Sequence, residues 1–493
     1  MTYFVDSVYG SDKADGTSRQ TAWRSLDAVN AHIFKGGDEV LFKAGCTFAG
    51  NLIPKRADTD GVIVFGRYGV GEKPIIVGDG EGVVCLYDFP QVELRDLAIT
   101  GENALRGVFV KLDKAGACKH THIVNCRIYD INLHRASFSH TVGGVICQGK
   151  REGDKGWFDD LLIQDNEILN VCRSGIFTVC DGRLGETRSD GTVAHKENSD
   201  WYPALDEVIR GNYIDRTGGD GIVILGAKSP LMEWNTVYRL MTDPVPPCAN
   251  AGIWPQSTTD CLMQYNEVGY ANKPQGCADA QGYDVDAACS DTVIQYNYSH
   301  DNGGGFLLLC EVGHSNDDAF FRGSIVRNNL SVNDGGVKGE LVGIVGPVRG
   351  ATLENNTFYS TGIVDRITEV WTADGTDQAK DVVYRNNLII SNGKGNLENV
   401  CNGEGFVFDN NAYCGTYTDV PAGAVDTKTF DPRLKKDGES GDGRLAAANY
   451  VPLADSPALT AGKKPQFPSA VDFFGNPVDN KQYVGAFVSG PKE

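Results

Sequence analysis

Methionine is scarce in this chain, four among 493 residues, and apolar residues never run for 18 or more in succession. The second absence excludes a membrane-spanning helix. The first, set beside 60 glycines, points away from helical bundles and toward a turn-rich chain of strands. Positive charge is also short: 45 Lys and Arg face 65 Asp and Glu, a formal net charge of −20. Nucleic acid and anionic membrane surfaces both demand a basic face, so neither is an expected partner. A polyanionic sugar chain is disfavoured for the same reason, unless a local basic groove or a bound cation overrides the net charge.

The fourteen cysteines form no CxxC or CxxxC pair and show no metal-ligand rhythm. Several, such as Cys180 and Cys310, end apolar runs and read as small core side chains. The expectation is reduced thiols and no metal centre. The opening MTYFVDSVYGSD lacks the charged and apolar regions of a secretory signal. A cytoplasmic protein is expected if Met1 is the native start, and a secreted or periplasmic one if a signal has been removed.

What the chain does contain is a repeat. An Asn, often one of a pair, precedes an apolar or β-branched residue at Asn166, Asn212, Asn235, Asn266, Asn297, Asn329, Asn356 and Asn387. Successive gaps after Asn212 are 23, 31, 31, 32, 27 and 31 residues. That spacing is too long for a hairpin and too irregular for a helical repeat. It suits one turn of a parallel β-helix carrying loops of variable length. Asn tolerates left-handed backbone angles, so a column of Asn at one corner makes a sharp bend repeatable and can hydrogen-bond along its length.

Between these corners lie Gly-led apolar runs, aligned on Gly175, Gly221, Gly252, Gly282 and Gly305. Strand alternation then gives inward columns of Ile176, Ile222, Ile253, Tyr283, Phe306 and of Thr178, Ile224, Pro255, Val285, Leu308. The fold class expected is all-β: a single right-handed parallel β-helix with an N-terminal capping helix and a C-terminal capping segment. Residues 1–80 would hold the N-terminal cap (TAWRSLDAVN) and first rungs, 81–413 the β-helix with loop insertions, and 414–493 the last rungs and cap. All three belong to one continuous domain.

The phrase YFVDSVYGSDKADGTSRQTAWRSLDAVN, the following GDEVLFKAG, the NN-apolar corners and the late DPRL…SPAL segment resemble right-handed β-helix proteins of the pectate-lyase-like superfamily. The stretch QGYDVDAACSDTVIQYNYSHDNGGGFLLLC is similar to its glycosidase-type members. The resemblance implies a carbohydrate substrate and a hydrolase. The calcium-binding aspartates and basic catalytic arm of pectate lyases have no counterpart in the sequence. Fold alone does not choose among the reactions of this superfamily.

The same alignment places outward the columns Phe177, Val223, Trp254, Asp284, Leu307 and Val179, Leu225, Gln256, Asp286, Leu309. A third holds Asp181, Ala227, Thr258, Ala288 and Glu311. Asp284 and Asp286 share one strand face, with Cα atoms about 6.6 Å apart, and Glu311 would lie diagonally across the next rung. Glycoside hydrolysis needs such a pair, one carboxylic acid to protonate the leaving oxygen and one carboxylate as base or nucleophile. Repulsion between close carboxylates would keep one protonated near neutral pH.

Asp286 with Asp284 or Glu311 is therefore the expected catalytic pair. Asp220 is in reserve, because a buried unpaired Asp should have a specific task. Trp254, Gln256, Asp301, His300 and Lys228 are the candidate substrate-binding residues. The pair requires no cofactor, although clustered acids leave room for calcium. The insertions 183–201 and 241–248 are long enough to wall a cleft. A lyase or epimerase of uronic-acid sugars would instead need a basic residue such as Lys228, Arg239 or Arg349 at the centre. A non-catalytic carbohydrate-binding solenoid would show aromatic platforms alone. The number of subunits, the sugar and the linkage are not legible.

Overall fold

Runs of three to nine β-branched and apolar residues, closed by Asn, Asp or Gly, form short strands that each pair in parallel with the equivalent strand one turn later. The computed structural model describes all residues except 134–138, 182–200, 244–247, 313–320, 338, 362–365, 372–378, 393–397, 401–403, 417–419, 437, 480 and 493. The insertion residues 183–200 and 244–247 thus lie outside the described residues. Contacts divide the chain into two units. The first comprises Met1–Gly182, Glu197–Leu231 and Leu240–Val245; the second comprises Arg183–Lys196, Met232–Arg239 and Pro246–Glu493.

The first unit is built on three parallel ladders. One runs from Thr2–Val5 through Glu39–Lys43, Ile63–Tyr68, Val92–Arg95, Gly116–Val124 and Gly156–Gln164 to Ala204–Arg210. The next runs from Val84–Tyr87 to Asp220–Lys228, and the last from Thr47–Ala49 to Tyr213–Thr217. The expected N-terminal helix is Leu26–Ala31, with Leu26 and Val29 buried. Asn30 ties it to the Asn51 carbonyl and the Ile53 N–H.

The second unit repeats the plan. Its ladders run from Ile253–Thr259 to Glu398–Val400, from Leu262–Gln264 to Val407–Asp409 and from Thr236–Tyr238 to Ala412–Gly415. Strand side chains alternate inward and outward. Inward residues such as Ile253, Tyr283, Val285, Leu307 and Leu309 are wholly buried. Each such large apolar side chain contributes about 1.5–3 kcal/mol through its removal from water.

The Asn repeat is a ladder of side-chain amides. In the second unit, Asn297 Oδ1 accepts from both the backbone N–H and the Nδ2 of Asn266, at 2.9 and 3.1 Å. Its own Nδ2 donates to the Met263 carbonyl and to Asn329 Oδ1, both at 3.0 Å. The pattern continues through Asn356 and Asn387 to Asn411. Asn166 and Asn212 form the same pair in the first unit.

The left-handed angle belongs to the residue before each ladder Asn: Tyr265, Tyr296, Asn328, Asn355, Asn386 and Asn410 all have φ between 52° and 58°. Two jobs that the sequence merges in one residue are therefore split. The first residue of the pair bends, and the second hydrogen-bonds.

The C-terminal segment lies along the outer face of the third ladder of the second unit. Tyr450, Phe473, Val484 and Phe487 pack with Leu330, Val332, Leu388 and Ile390. Tyr483 accepts from Asn328 through its hydroxyl and from Asn355 through its carbonyl.

Two expectations are corrected. The first concerns register. Tyr283 pairs with Leu307, Asp284 with Leu308 and Val285 with Leu309, so Gly282 faces Phe306 and not Gly305. The cause is the tight glycine run before the strand. A Cβ on Gly304 would sit 2.3 Å from the Ala280 carbonyl carbon, and one on Gly305 would sit 2.5 Å from the Leu341 oxygen. The run is pinned between neighbouring turns, and the strand starts one residue later. A one-residue slip exchanges the two faces, which turns Leu307, Leu309 and Glu311 inward and puts Leu308 and Cys310 outward.

The second correction concerns sulfur. Cys248 and Cys277 form a disulfide at equivalent positions of neighbouring turns. Their separation of 29 residues is one repeat length, which a scan for short cysteine spacings passes over.

Candidate functional site

The second unit gathers carboxylates on the outward face of its first ladder. Trp254 and Asp284 each follow a residue of the pair Ile253 and Tyr283. The Asp286 backbone N–H donates to the Pro255 carbonyl at 3.0 Å, and its Oδ1 accepts from the Ala287 N–H at 2.7 Å. Asp284 is buried while Asp286 and Gln256 are half-buried.

Cys310 shows how close these groups lie. Its thiol is pushed well above the ordinary range, first by burial and then by the carboxylates of Asp286, Asp284 and Asp279. The charges of three acids thus reach one sulfur. Asp279, half-buried and two residues after the disulfide cysteine Cys277, escaped the sequence reading because it precedes the strand. The signal available was a third Asp within eight residues of Asp286.

Trp254 is only 6% exposed, so its ring is enclosed and offers no open platform. Glu311 is wholly buried, and its Oε2 accepts from the backbone N–H groups of Ala288 and Phe321, both at 2.8 Å. It closes a turn on the inward side, as the register shift requires.

His300 and Asp301 belong to a different ladder of this unit, with His300 in Tyr298–His300. The His300 ring is wholly buried between Asp301 (Nδ1 to Oδ2, 3.0 Å) and Glu267 (Nε2 to Oε1, 3.3 Å). Burial alone would lower its pKa, but the two carboxylates prevail and raise it to about 9. Glu267 in turn accepts from the Gly443 N–H at 2.7 Å, so this cluster fastens the C-terminal segment. Asp301 takes the left-handed corner at φ 54°.

Asp220, Asp181 and Lys228 lie in the first unit. Asp220 is wholly buried but paired: its Oδ2 accepts from Arg173 and meets His140 Nδ1 at 3.0 Å. A Cβ on Gly219 would stand 2.1 Å from Arg173 Nη1, so a glycine there is what lets the guanidinium reach the carboxylate. Asp181 is buried, and its carbonyl accepts from the Trp201 indole at 3.0 Å. Lys228 is exposed at the far end of the strand that Asp220 begins.

No family model matches the chain. Over 99% of its length it is 24% identical to a lacto-N-biosidase of Bifidobacterium longum subsp. longum, of which the aligned part is 36%. The chain therefore spans about a third of that curated relative. Among solved structures it is similar to a GH136 lacto-N-biosidase from Eubacterium ramulus, with 22% identity and a TM-score of 0.58 over 81% of this chain and 68% of that one. It is also similar to XylC in complex with xylose, with 13% identity and a TM-score of 0.53 over 100% and 99% of the two chains. The parallel ladders and these similarities make the fold a right-handed parallel β-helix.

Proposed function

We propose that this chain is a glycoside hydrolase whose acid and base are drawn from Asp286, Asp284 and Asp279. The observation that carries the reading is the placement of Asp284 on the outward face of the strand Tyr283–Val285, with Asp286 just beyond its end, and the charges of both, with that of Asp279, raise the Cys310 thiol. In the reaction, one carboxylic acid gives its proton to the glycosidic oxygen as the bond to the anomeric carbon breaks. A second carboxylate attacks that carbon or takes a proton from the water that does. Enclosed Trp254 walls the face, and half-buried Gln256 offers both a donor and an acceptor to sugar hydroxyls. Alignment over nearly the whole chain with a lacto-N-biosidase supports release of lacto-N-biose, a neutral glycone that suits an acidic protein.

A disulfide at Cys248–Cys277 favours an oxidising compartment, so we place the protein outside the cytoplasm. No cofactor is needed for the carboxylate chemistry.

The test is turnover of an aryl lacto-N-bioside and a panel of other aryl glycosides by the wild type and by Asp286→Asn, Asp284→Asn and Asp279→Asn. The expected result is aryl release without ultraviolet-absorbing unsaturated sugars, reduced about 10²–10⁴-fold in two of the three folded variants. Unsaturated products would make the protein a lyase. Binding without turnover of any glycan would make it a recognition module.

A further inference from the structure

In the first unit, remote in sequence from the acids above, two histidines and two carboxylates meet on three successive strands. His122 pairs with Glu93 across the ladder between Gly116–Val124 and Val92–Arg95. His120 stands two residues before His122 in the same strand. His120 and the residue stacked on it, Asp160 of Gly156–Gln164, both have left-handed backbones, φ 53° and 67°. This pair of kinks brings their side chains against the Glu93 and His122 column.

The two imidazole rings lie 3.7 Å apart, centroid to centroid, an arrangement that would be repulsive if both were charged. His120 Nε2 is 3.4 Å from Glu93 Oε1. Asp160 meets His120 Nδ1 through Oδ2 at 2.9 Å and His122 Nε2 through Oδ1 at 2.8 Å.

We propose that Glu93, His120 and His122 form a binding site for a divalent d-block cation, zinc(II) in the first instance, with Asp160 as the carboxylate that orients both rings. One ligand atom from each of the three lies within 4.8 Å of the others. Ligands held 2.0–2.1 Å from a tetrahedral centre stand about 3.4 Å apart, which is the His120–Glu93 spacing already present.

The donor set of two imidazoles and a carboxylate is of the borderline type that zinc accepts, and it leaves a fourth position for water. Asp160 supplies what such sites require beyond the ligands. By accepting the Nδ1–H of His120 it fixes the tautomer that leaves Nε2 free to bind metal, and by accepting from His122 Nε2 it leaves that ring's Nδ1 free. The side chains are between 16% and 50% exposed, so a hydrated ion has access. Bound there, the cation would link the strands carrying Glu93 and both histidines.

The experiment uses the full chain after chelator treatment, titrated with zinc chloride by calorimetry and, separately, melted with and without zinc. One ion per chain is expected, with micromolar or tighter affinity and a rise in melting temperature. Cobalt(II) should give a visible absorption band of a four-coordinate site. Glu93→Gln, which keeps shape on a half-exposed position, is expected to weaken zinc at least tenfold. His122→Ala should abolish both the heat and the melting shift, and Asp160→Asn should weaken binding less than either. Absence of saturable one-to-one binding by the wild type would overturn the proposal. So would unchanged zinc affinity in folded Glu93→Gln, which remains decisive even if His122→Ala fails to fold.

Discussion

Asp284 lies directly opposite Leu308 in a parallel pair of strands. The face that carries the acid therefore carries Leu308 and then Cys310, while Leu307 and Leu309 point into the core. This single step of register decides which side chains share the face of Asp284 and turns Leu307 and Leu309 away from it.

Truncation on the two faces should have different consequences. Leu307→Ala is expected to cost about 2–5 kcal/mol of stability while sparing the turnover of the molecules that remain folded. Leu308 is also buried, at 3% exposure, so Leu308→Ala should cost stability too but change kcat/KM as well. Chemical denaturation together with steady-state kinetics on both variants separates the two. Unchanged kinetics in both variants would contradict the register.

The amide ladder makes a second prediction. Asn297 is wholly buried, and its side chain makes four hydrogen bonds, to Asn266, Met263 and Asn329. Asn297→Ala strands a buried N–H and a buried carbonyl, each costing about 1–3 kcal/mol. A loss on the order of 3 kcal/mol is expected in urea unfolding, against well under 1 kcal/mol for Ala at an exposed position such as Asn103.

Reduction should loosen the segment that carries Asp279. Cys248 and Cys277 close a loop of 29 residues, and a bridge of that span stabilises by about 3–4 kcal/mol in the chain-entropy treatment. Cys277→Ser is expected to speed hydrogen exchange around residues 274–281 and to reduce turnover under oxidising conditions. In reducing buffer, wild type and variant should behave alike.

A pH dependence follows from Glu207 in the first unit. This carboxyl is buried beneath the Thr178 hydroxyl that donates to it, and burial raises its pKa from 4.5 to about 7. The folded state therefore holds a proton that the unfolded state has lost. Its stabilising contribution is complete below about pH 4.5, declines as pH rises, and is gone above about pH 7, a fall of about 3 kcal/mol. Glu207→Gln, permanently neutral, should flatten that part of the profile. The difference between the two proteins in urea titrations from pH 4 to 8 measures it. A constant difference across the range would remove Glu207 as the source.

Much of the fold was legible because its determinants are local and repeated. An Asn every 23–32 residues signals a corner, and an apolar alternation signals a half-buried strand wherever it occurs. Asp284 and Asp286 were legible as a pair because two aspartates at a spacing of two share a strand face irrespective of what surrounds them. Three other features were not, for separate reasons. Asp279 acts on Cys310 from a position two residues past a disulfide whose halves are a full turn apart. His120 and Asp160 meet only because two backbones kink left-handed at the same level. His300, which reads as a sugar ligand beside Asp301, is instead clasped by Glu267 under a segment more than 140 residues later.

The sequence by itself determined the repeat, the alternation along each strand and the acidic character of the chain, because propensity, alternation and charge act over a few residues. Tertiary structure alone decided the register at Gly303–Gly305, the Cys248–Cys277 pairing and the partners of Asp220, Glu311 and His300. Each of these depends on which turn packs beside which, a choice made by steric fit and hydrogen-bond satisfaction between residues far apart in the chain.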